Sequence, residues 1–282
     1  MGTVVTLQLI AESQAAARQG VNRAFTDMTR WVEMLDHRRP LSPLAALNQS
    51  GTLQNPPPAL REVIEEGLRL GVLTRGALDI TIKPALDYYR LYQEPHPALR
   101  DLVDFQQVVV SPQGISLQRA GMGLTLDGLA KGWIVDQVAE ILKDLGFINT
   151  LVEAGGDMFL AGSRGEGRPW KVGIRHPRGG ILQTVVGEDQ AVATSGDYLA
   201  AYDSSFQHHH ILDPGRGISP CGLASASVIA GNVCQADALS TAAMVLGAEA
   251  SLQVLESLPA VEGLLVTKSG LIYRTSGLPD TR

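Results

Sequence analysis

The chain has 282 residues, 45% hydrophobic and 18% charged, enough to bury a substantial core and ordinary for a globular protein. Its net charge is −6, and no Lys/Arg cluster is long enough to follow a phosphate backbone, which argues against a nucleic-acid partner. No run approaches the roughly 18 apolar residues of a membrane span, no charged-then-apolar leader opens the chain, and Cys221 and Cys234 read as buried free thiols rather than a disulfide framework or a zinc site.

The chain opens on a strand-like run, Thr3 to Ile10. From Ser13 to Asp36, Val21, Phe25, Met28, Val32 and Leu35 recur at three- and four-residue steps, the period of an amphipathic helix. Asn55-Pro-Pro-Pro58 interrupts the chain before a second helix with the stripe Leu60, Val63, Ile64, Leu68 and Leu70. Pro84 and Pro95-His-Pro97 punctuate a stretch read as loop-rich. Short β-rich runs follow at 108–110, 115–117 and 124–126, then a helix over 128–145 whose buried face is Ile134, Val138, Ile141 and Leu145. Strands are expected at 150–152, 158–161, 171–174, 184–186, 191–194, 225–230, 263–267 and 271–274, with a helix over 235–247. Hairpin-like pairs beside helical crossovers predict an α+β fold with a mixed, largely antiparallel sheet. The whole of 1–282 reads as one domain, with a possible smaller lobe around 36–105.

Five segments carry unusual local order. In the last helix, Asp237 and Thr241 lie four residues apart and share a face. They are either an N-cap Asp with a back-bonded Thr or a pair of oxygen ligands for a hard cation such as Mg²⁺. The turn Asp127-Gly-Leu-Ala-Lys131 opens a helix, so its free N–H groups suit an anion, and Lys131 would add a point charge to a phosphate or simply face solvent. Gly155-Gly156 before Asp157 permits a tight turn or the close approach of a ligand. Thr194-Ser-Gly-Asp197 is a strand-ending turn or a cleft wall. Among His208, His209 and His210, alternation sends the middle ring to the opposite face. A histidine titrates near neutrality and suits a general base. Asp213 before Pro214 orients that ring or starts a turn.

Together Leu124 to Trp133, Val152 to Asp157, Ala193 to Tyr198, His210 to Pro214 and Ala236 to Thr241, in this order and spacing, resemble the ApbE-type flavin transferases. The resemblance runs from Met1-Gly-Thr3 to near Gly247. It implies a two-lobe, T-fold-like architecture and Mg²⁺-dependent transfer of FMN from FAD to a threonine of an acceptor flavoprotein, releasing AMP. It further implies that Asp237, Thr241 and the Ala130 carbonyl hold the metal, that His210 is the base, and that Lys131 and Asp237 serve catalysis. FAD would be held around Met1, Arg38, Ala77, Leu78, Asp79, Asp127, Lys131, Trp133, Gly155, Gly156, Asp157, Thr194, Ser195, Gly196 and Leu212. The expected partner is an acceptor protein with a target Thr, a subunit of a redox complex or a flavin-carrying electron-transfer domain. Oligomeric state is open. A cell-envelope or periplasmic setting is implied by the resemblance, and a cytoplasmic one stays open because the chain shows no signal or anchor.

The chain departs from the common pattern of that family. Thr125 stands where an Asp is usual, Asp127 replaces a Gly or Asn, Ile80 replaces a Pro, Arg38 stands where a Tyr stacks on adenine, and Leu199 where an Arg often follows. An added carboxylate at Asp127 would repel a pyrophosphate unless it is engaged elsewhere, and a guanidinium at Arg38 can itself stack on a purine. Two rival readings follow: a flavin-binding protein without transferase activity, and an FAD pyrophosphatase that uses water as nucleophile.

Overall fold

A computed structural model describes residues 2–278. In chain order the elements are β1 Val5–Leu9, α1 Gln14–Leu35, α2 Pro43–Ser50, β2 Thr52–Gln54, α3 Pro58–Leu73, α4 Lys83–Tyr92, α5 Pro97–Arg100, β3 Val108–Ser111, β4 Gly114–Leu117 and α6 Ala130–Asp144. There follow β5 Thr150–Ala154, β6 Asp157–Ala161, β7 Trp170–Arg175, β8 Ile181–Gly187, β9 Gln190–Gly196, β10 Leu223–Ala230, α7 Val233–Leu246, α8 Ala248–Glu256, β11 Glu262–Thr267 and β12 Ile272–Arg274. Seven strands form the main sheet in the order β1-β5-β6-β9-β10-β11-β12, beside a three-stranded sheet β2-β4-β3 and the hairpin β7-β8. Every pairing among the described residues is antiparallel. The α+β reading therefore holds.

The helices form where apolar residues repeat at helical spacing, but burial differs from the expected stripes. In α1 the buried positions are Gly20, Ala24, Asp27, Met28 and Leu35, while Phe25 is exposed. In α6 they include Ile134, Val135, Val138, Ala139 and Leu142. Leu145 falls at its C-cap and is exposed. One apolar cluster runs from Met28 and Leu35 through Leu60 and Ile64 of α3 and Trp133 to Val138 of α6, and on to Ala193, Val228 and Leu239. The region around 36–105 thus shares its core with the main sheet.

Four local expectations are corrected. The stretch from Pro84 is a helix, because Pro84 sits in the first turn of α4, where its missing N–H costs nothing. Residues 124–126 are extended and buried but pair with no strand. α6 begins at Ala130 rather than at Gly128. Cys221 is exposed, and only Cys234 is buried.

The N-terminal turns of α6 and α7 meet head to head and cap one another. Asp136 of α6 accepts hydrogen bonds from Val233 N and Cys234 N at 2.7 and 2.8 Å. Asp237 of α7 accepts one from Gly132 N at 3.0 Å. Each carboxylate thus answers the orphan N–H groups and the positive dipole end of the other helix. Burial outweighs those bonds at Asp136 and pushes its carboxyl up to about 6. A carboxyl raised in the folded state binds its proton more tightly there than in the unfolded chain. Its contribution to stability is therefore full below about pH 4 and is lost as pH rises through about 6. We expect urea denaturation across pH 4 to 7 to show wild type losing up to about 2 kcal/mol relative to Asp136→Asn over that window. A pH-independent difference would remove this assignment.

Candidate functional site

A cleft of about 830 Å³, open solvent at its mouth included, opens beside the α6–α7 junction. Its walls come from five parts of the chain: 77–80 and Ile82 with Leu86 of α4; Thr125, 127–129 and Lys131; Thr194 and Ser195 at the end of β9 with Leu199; 210–212 with Pro214; and Asp237 and Thr241 of α7. β9 lies between β6 and β10, but its pairing with β6 ends at Val192, so Thr194 and Ser195 are held by β10, opposite Ser227 and Ala226.

Asp237 is a buried acid of this site, at 4% exposure. One oxygen holds Gly132 N, and no hydrogen bond occupies the other. Burial raises its pKa, and Lys131 partly offsets that. Lys131 itself is ion-paired with Asp157, which is fully buried. Two buried carboxylates thus share one ammonium, an arrangement short of positive charge. Next to Asp237, Ser195 Oγ meets Ser240 Oγ at 2.8 Å and Thr241 Oγ1 at 3.1 Å. A carboxylate oxygen without a donor beside hydroxyls is an all-oxygen donor set, which suits a hard cation. Ala130, the third expected donor, is not among the cleft walls. No cluster of three or more His, Cys, Asp or Glu able to hold a metal occurs among the described residues.

The helix-capping alternative for this pair is corrected. The N-cap of α7 is Asn232, whose side chain accepts from Gln235 N. Asp237 lies in the second turn, and Thr241 bonds across to Ser195 rather than back along its helix. Of the N–H groups expected to be free for an anion in the 127–131 turn, those of Asp127, Leu129 and Ala130 are taken, by Thr125 Oγ1 and Leu126 O.

His210 lines the cleft. Its neighbours are held by other contacts: His209 Nε2 meets Pro220 O at 3.0 Å, and His208 Nδ1 meets Tyr89 Oη at 2.7 Å. The three rings therefore have different polar surroundings, although His209 packs edge-on against His210 at 6.3 Å. Burial lowers the pKa of His210, so its imidazole is neutral at pH 7. Its Nδ1 is buried with no hydrogen-bond partner among the described residues, while the Ala200 backbone beside the ring favours the protonated form and partly offsets burial. Asp213 starts a turn, accepting from Gly215 N and Arg216 N, and does not orient that ring.

Of the residues expected around FAD, Ala77, Leu78, Asp79, Asp127, Lys131, Thr194, Ser195 and Leu212 line the cleft. The Asp79 carboxylate is engaged by Thr81 N, Thr81 Oγ1 and Phe105 N, so that side chain fixes its own loop and offers the cleft mainly backbone. Trp133 stands apart: it is buried in the core, donates to Glu62 Oε1 at 3.0 Å and packs edge-on against Trp31. Gly155 and Gly156 form the β5–β6 turn with φ of 63° and 101°, and neither they nor Gly196 is in the cleft wall. Asp157 is not in the cleft wall but touches two residues that are: it pairs with Lys131 and accepts from Thr194 N at 3.4 Å. Arg38 is bound to Asp127 rather than standing open as a stacking surface. Met1 lies outside the described residues. Ile82 and Leu86 are walls that the sequence reading missed. Their four-residue spacing was the available signal, obscured by Pro84.

Among the described residues no helix is long and apolar enough to cross a membrane. The ApbE family model matches residues 1–265. An FAD:protein FMN transferase of Vibrio cholerae is 32% identical over 69% of this chain. That match spans 63% of the Vibrio protein, under two thirds of its length. One of Treponema pallidum with the same name is 29% identical over 99% of this chain and 86% of its own. The crystal structure of the Pseudomonas stutzeri flavinyl transferase ApbE, in its apo form, superposes with a TM-score of 0.88 at 26% identity, covering 98% of this chain and 92% of that one. With a family match over nearly its whole length and a fold shared with a solved member, the chain belongs to the ApbE family.

Proposed function

We propose that the chain is an FAD:protein FMN transferase that moves FMN from FAD to a threonine side chain of an acceptor flavoprotein and releases AMP. The observation that carries this reading is the buried Asp237, one oxygen without a donor, in the wall of a cleft that also holds His210 and Lys131. Names borne by relatives over most of the chain support the same activity.

In this reading Asp237 and Thr241 would hold Mg²⁺, and the family resemblance adds the Ala130 carbonyl from outside the cleft walls. When bound, that ion supplies charge neutralisation for the diphosphate of FAD. The acceptor hydroxyl oxygen forms a bond to the flavin-side phosphorus, and the bond from that phosphorus to the bridging oxygen breaks. AMP departs with the electron pair, and His210 takes the hydroxyl proton. Lys131 offers its ammonium to the phosphates, leaving Asp157 to hold it in place. Backbone at 77–80 faces the nucleotide, and Thr194 and Ser195 face the flavin end. The acceptor is a subunit of a redox complex or a flavin-carrying domain. The family resemblance is what supports that choice and a cell-envelope setting.

The test is incubation of the purified chain with FAD, Mg²⁺ and a family-type acceptor, following AMP by chromatography and covalent flavin on the acceptor. AMP and labelled acceptor in equal amounts are expected, both abolished by EDTA. AMP and free FMN without labelling would make it a pyrophosphatase, and intact bound FAD a flavin carrier. His210→Gln should lower the transfer rate by about 10² to 10⁴ with FAD affinity retained. Because burial holds the wild-type imidazole below its ordinary value, the acid limb of the pH–rate profile should lie on the acid side of the ordinary histidine range. An unaltered limb in His210→Gln would assign the base elsewhere.

A further inference from the structure

Two of the departures noted in the sequence meet in space. Arg38, just after α1, and Asp127, in the turn before α6, are 89 positions apart and form a two-pronged ion pair. Nη1 lies 3.0 Å from Oδ1, and Nη2 contacts Oδ2. Asp36 accepts from the same guanidinium at 3.3 Å and so holds it from behind. Both members of the pair are about half exposed, at 52% and 46%, and Asp127 lines the cleft. The pair therefore stands at the open end of the site. Burial pushes the Asp127 carboxyl up, but Arg38 outweighs it and leaves the group below its ordinary value.

The other ionisable walls are Asp79, Lys131, Asp237 and His210. His210 is neutral at pH 7, and Lys131 is already shared with Asp157. A nucleotide diphosphate entering this cleft meets more carboxylates than cations, and Asp127 is the one nearest solvent. A half-exposed pair adds little to folding stability. Its consequence is local: it cancels the charge of Asp127 where an anionic ligand must pass. Arginine suits the task because its planar fork satisfies both carboxylate oxygens and stays charged at any working pH.

We propose that Arg38 is a positioning residue that clasps and neutralises Asp127, so that the cleft accepts a diphosphate-bearing nucleotide despite a carboxylate at its mouth. This rests on the functional reading above and adds to it a charge-compensated entrance. Arg38 acts through Asp127, not by stacking on the base. The two residues function as a unit, so replacing one exposes the other.

The experiment is a titration of FAD into the purified chain with Mg²⁺, followed by flavin fluorescence, for wild type, Arg38→Ala, Asp127→Asn and the double variant, each at low and high salt. Arg38→Ala should weaken FAD binding about tenfold at low salt, the order expected for one uncancelled charge near a diphosphate. The deficit should shrink at high salt, as screening dictates. Asp127→Asn should tighten binding by a few-fold, because Arg38 is released toward the phosphates. The double variant should recover most of the loss. Melting temperatures should agree within about 2 °C, as for any surface pair. A double variant as weak as Arg38→Ala would show that Arg38 contacts the nucleotide directly and would overturn the clasp. Unchanged affinity in Arg38→Ala would overturn it too. A wild-type chain that does not bind FAD would overturn the functional reading itself, an outcome distinct from either.

Discussion

Asp237→Asn is expected to lower transfer by at least about 10³-fold while the fold survives, the scale seen when a central electrostatic group is removed. The amide oxygen can still accept from Gly132 N, the one protein hydrogen bond that Asp237 makes through its carboxylate, so the α6–α7 junction keeps its cap. What disappears is a charge buried at 4% exposure whose only neighbouring cation is shared with Asp157. Removing a charge in that position is neutral or favourable for folding. The loss is therefore one of chemistry. A readout independent of turnover is available: Mg²⁺ should raise the melting temperature of wild type, as any ligand of the native state does, and should leave that of the variant unmoved. Mg²⁺-dependent labelling retained within tenfold of wild type would sink the metal assignment.

Gly132→Ala is expected to damage both stability and activity. A Cβ there would lie 2.5 Å from Val233 O, 2.7 Å from Val233 C and 2.9 Å from Cys234 Cα. These are backbone atoms at the start of α7, so no side-chain rotation relieves the clash, and the helix must move. Alanine gains about 1 kcal/mol of helix propensity over glycine, and overpacking against backbone costs more than the usual 1–3 kcal/mol for a core. The net expectation is a loss of about 2–3 kcal/mol. Moving α7 also carries Asp237 and Thr241 away from Gly132 and Ser195, so transfer should fall further than the folded fraction does. Wild-type melting together with wild-type turnover in Gly132→Ala would show that the two helices have slack at their junction.

Much of the fold was legible in the chain. Apolar residues at helical spacing marked α1, α3 and α6, and the β-rich runs marked nearly every strand of the main sheet, because burial on one face imposes a period that the residues must carry. α4 was hidden by Pro84, since a proline reads as a breaker unless its place in the first turn is known. β2, with three residues, is too short to show a period.

The site was legible in part, and the division has a physical cause. The sequence by itself determined which chemistry-bearing residues exist and which lie close along one element: Asp237 with Thr241, Thr194 with Ser195, and His210 after its two neighbours. It determined the α+β class as well. Only the tertiary structure decided that Asp237 caps α6, that Asp136 returns the cap to α7, that Lys131 is spent on Asp157, that Trp133 belongs to the core, and that Arg38 cancels Asp127. Each of these joins residues from 26 to 105 positions apart. Spacing along a helix or strand governs contacts only within a few residues. Hydrogen bonds and charges are matched across the folded core, where an unpaired polar group is costly whichever part of the chain supplies its partner.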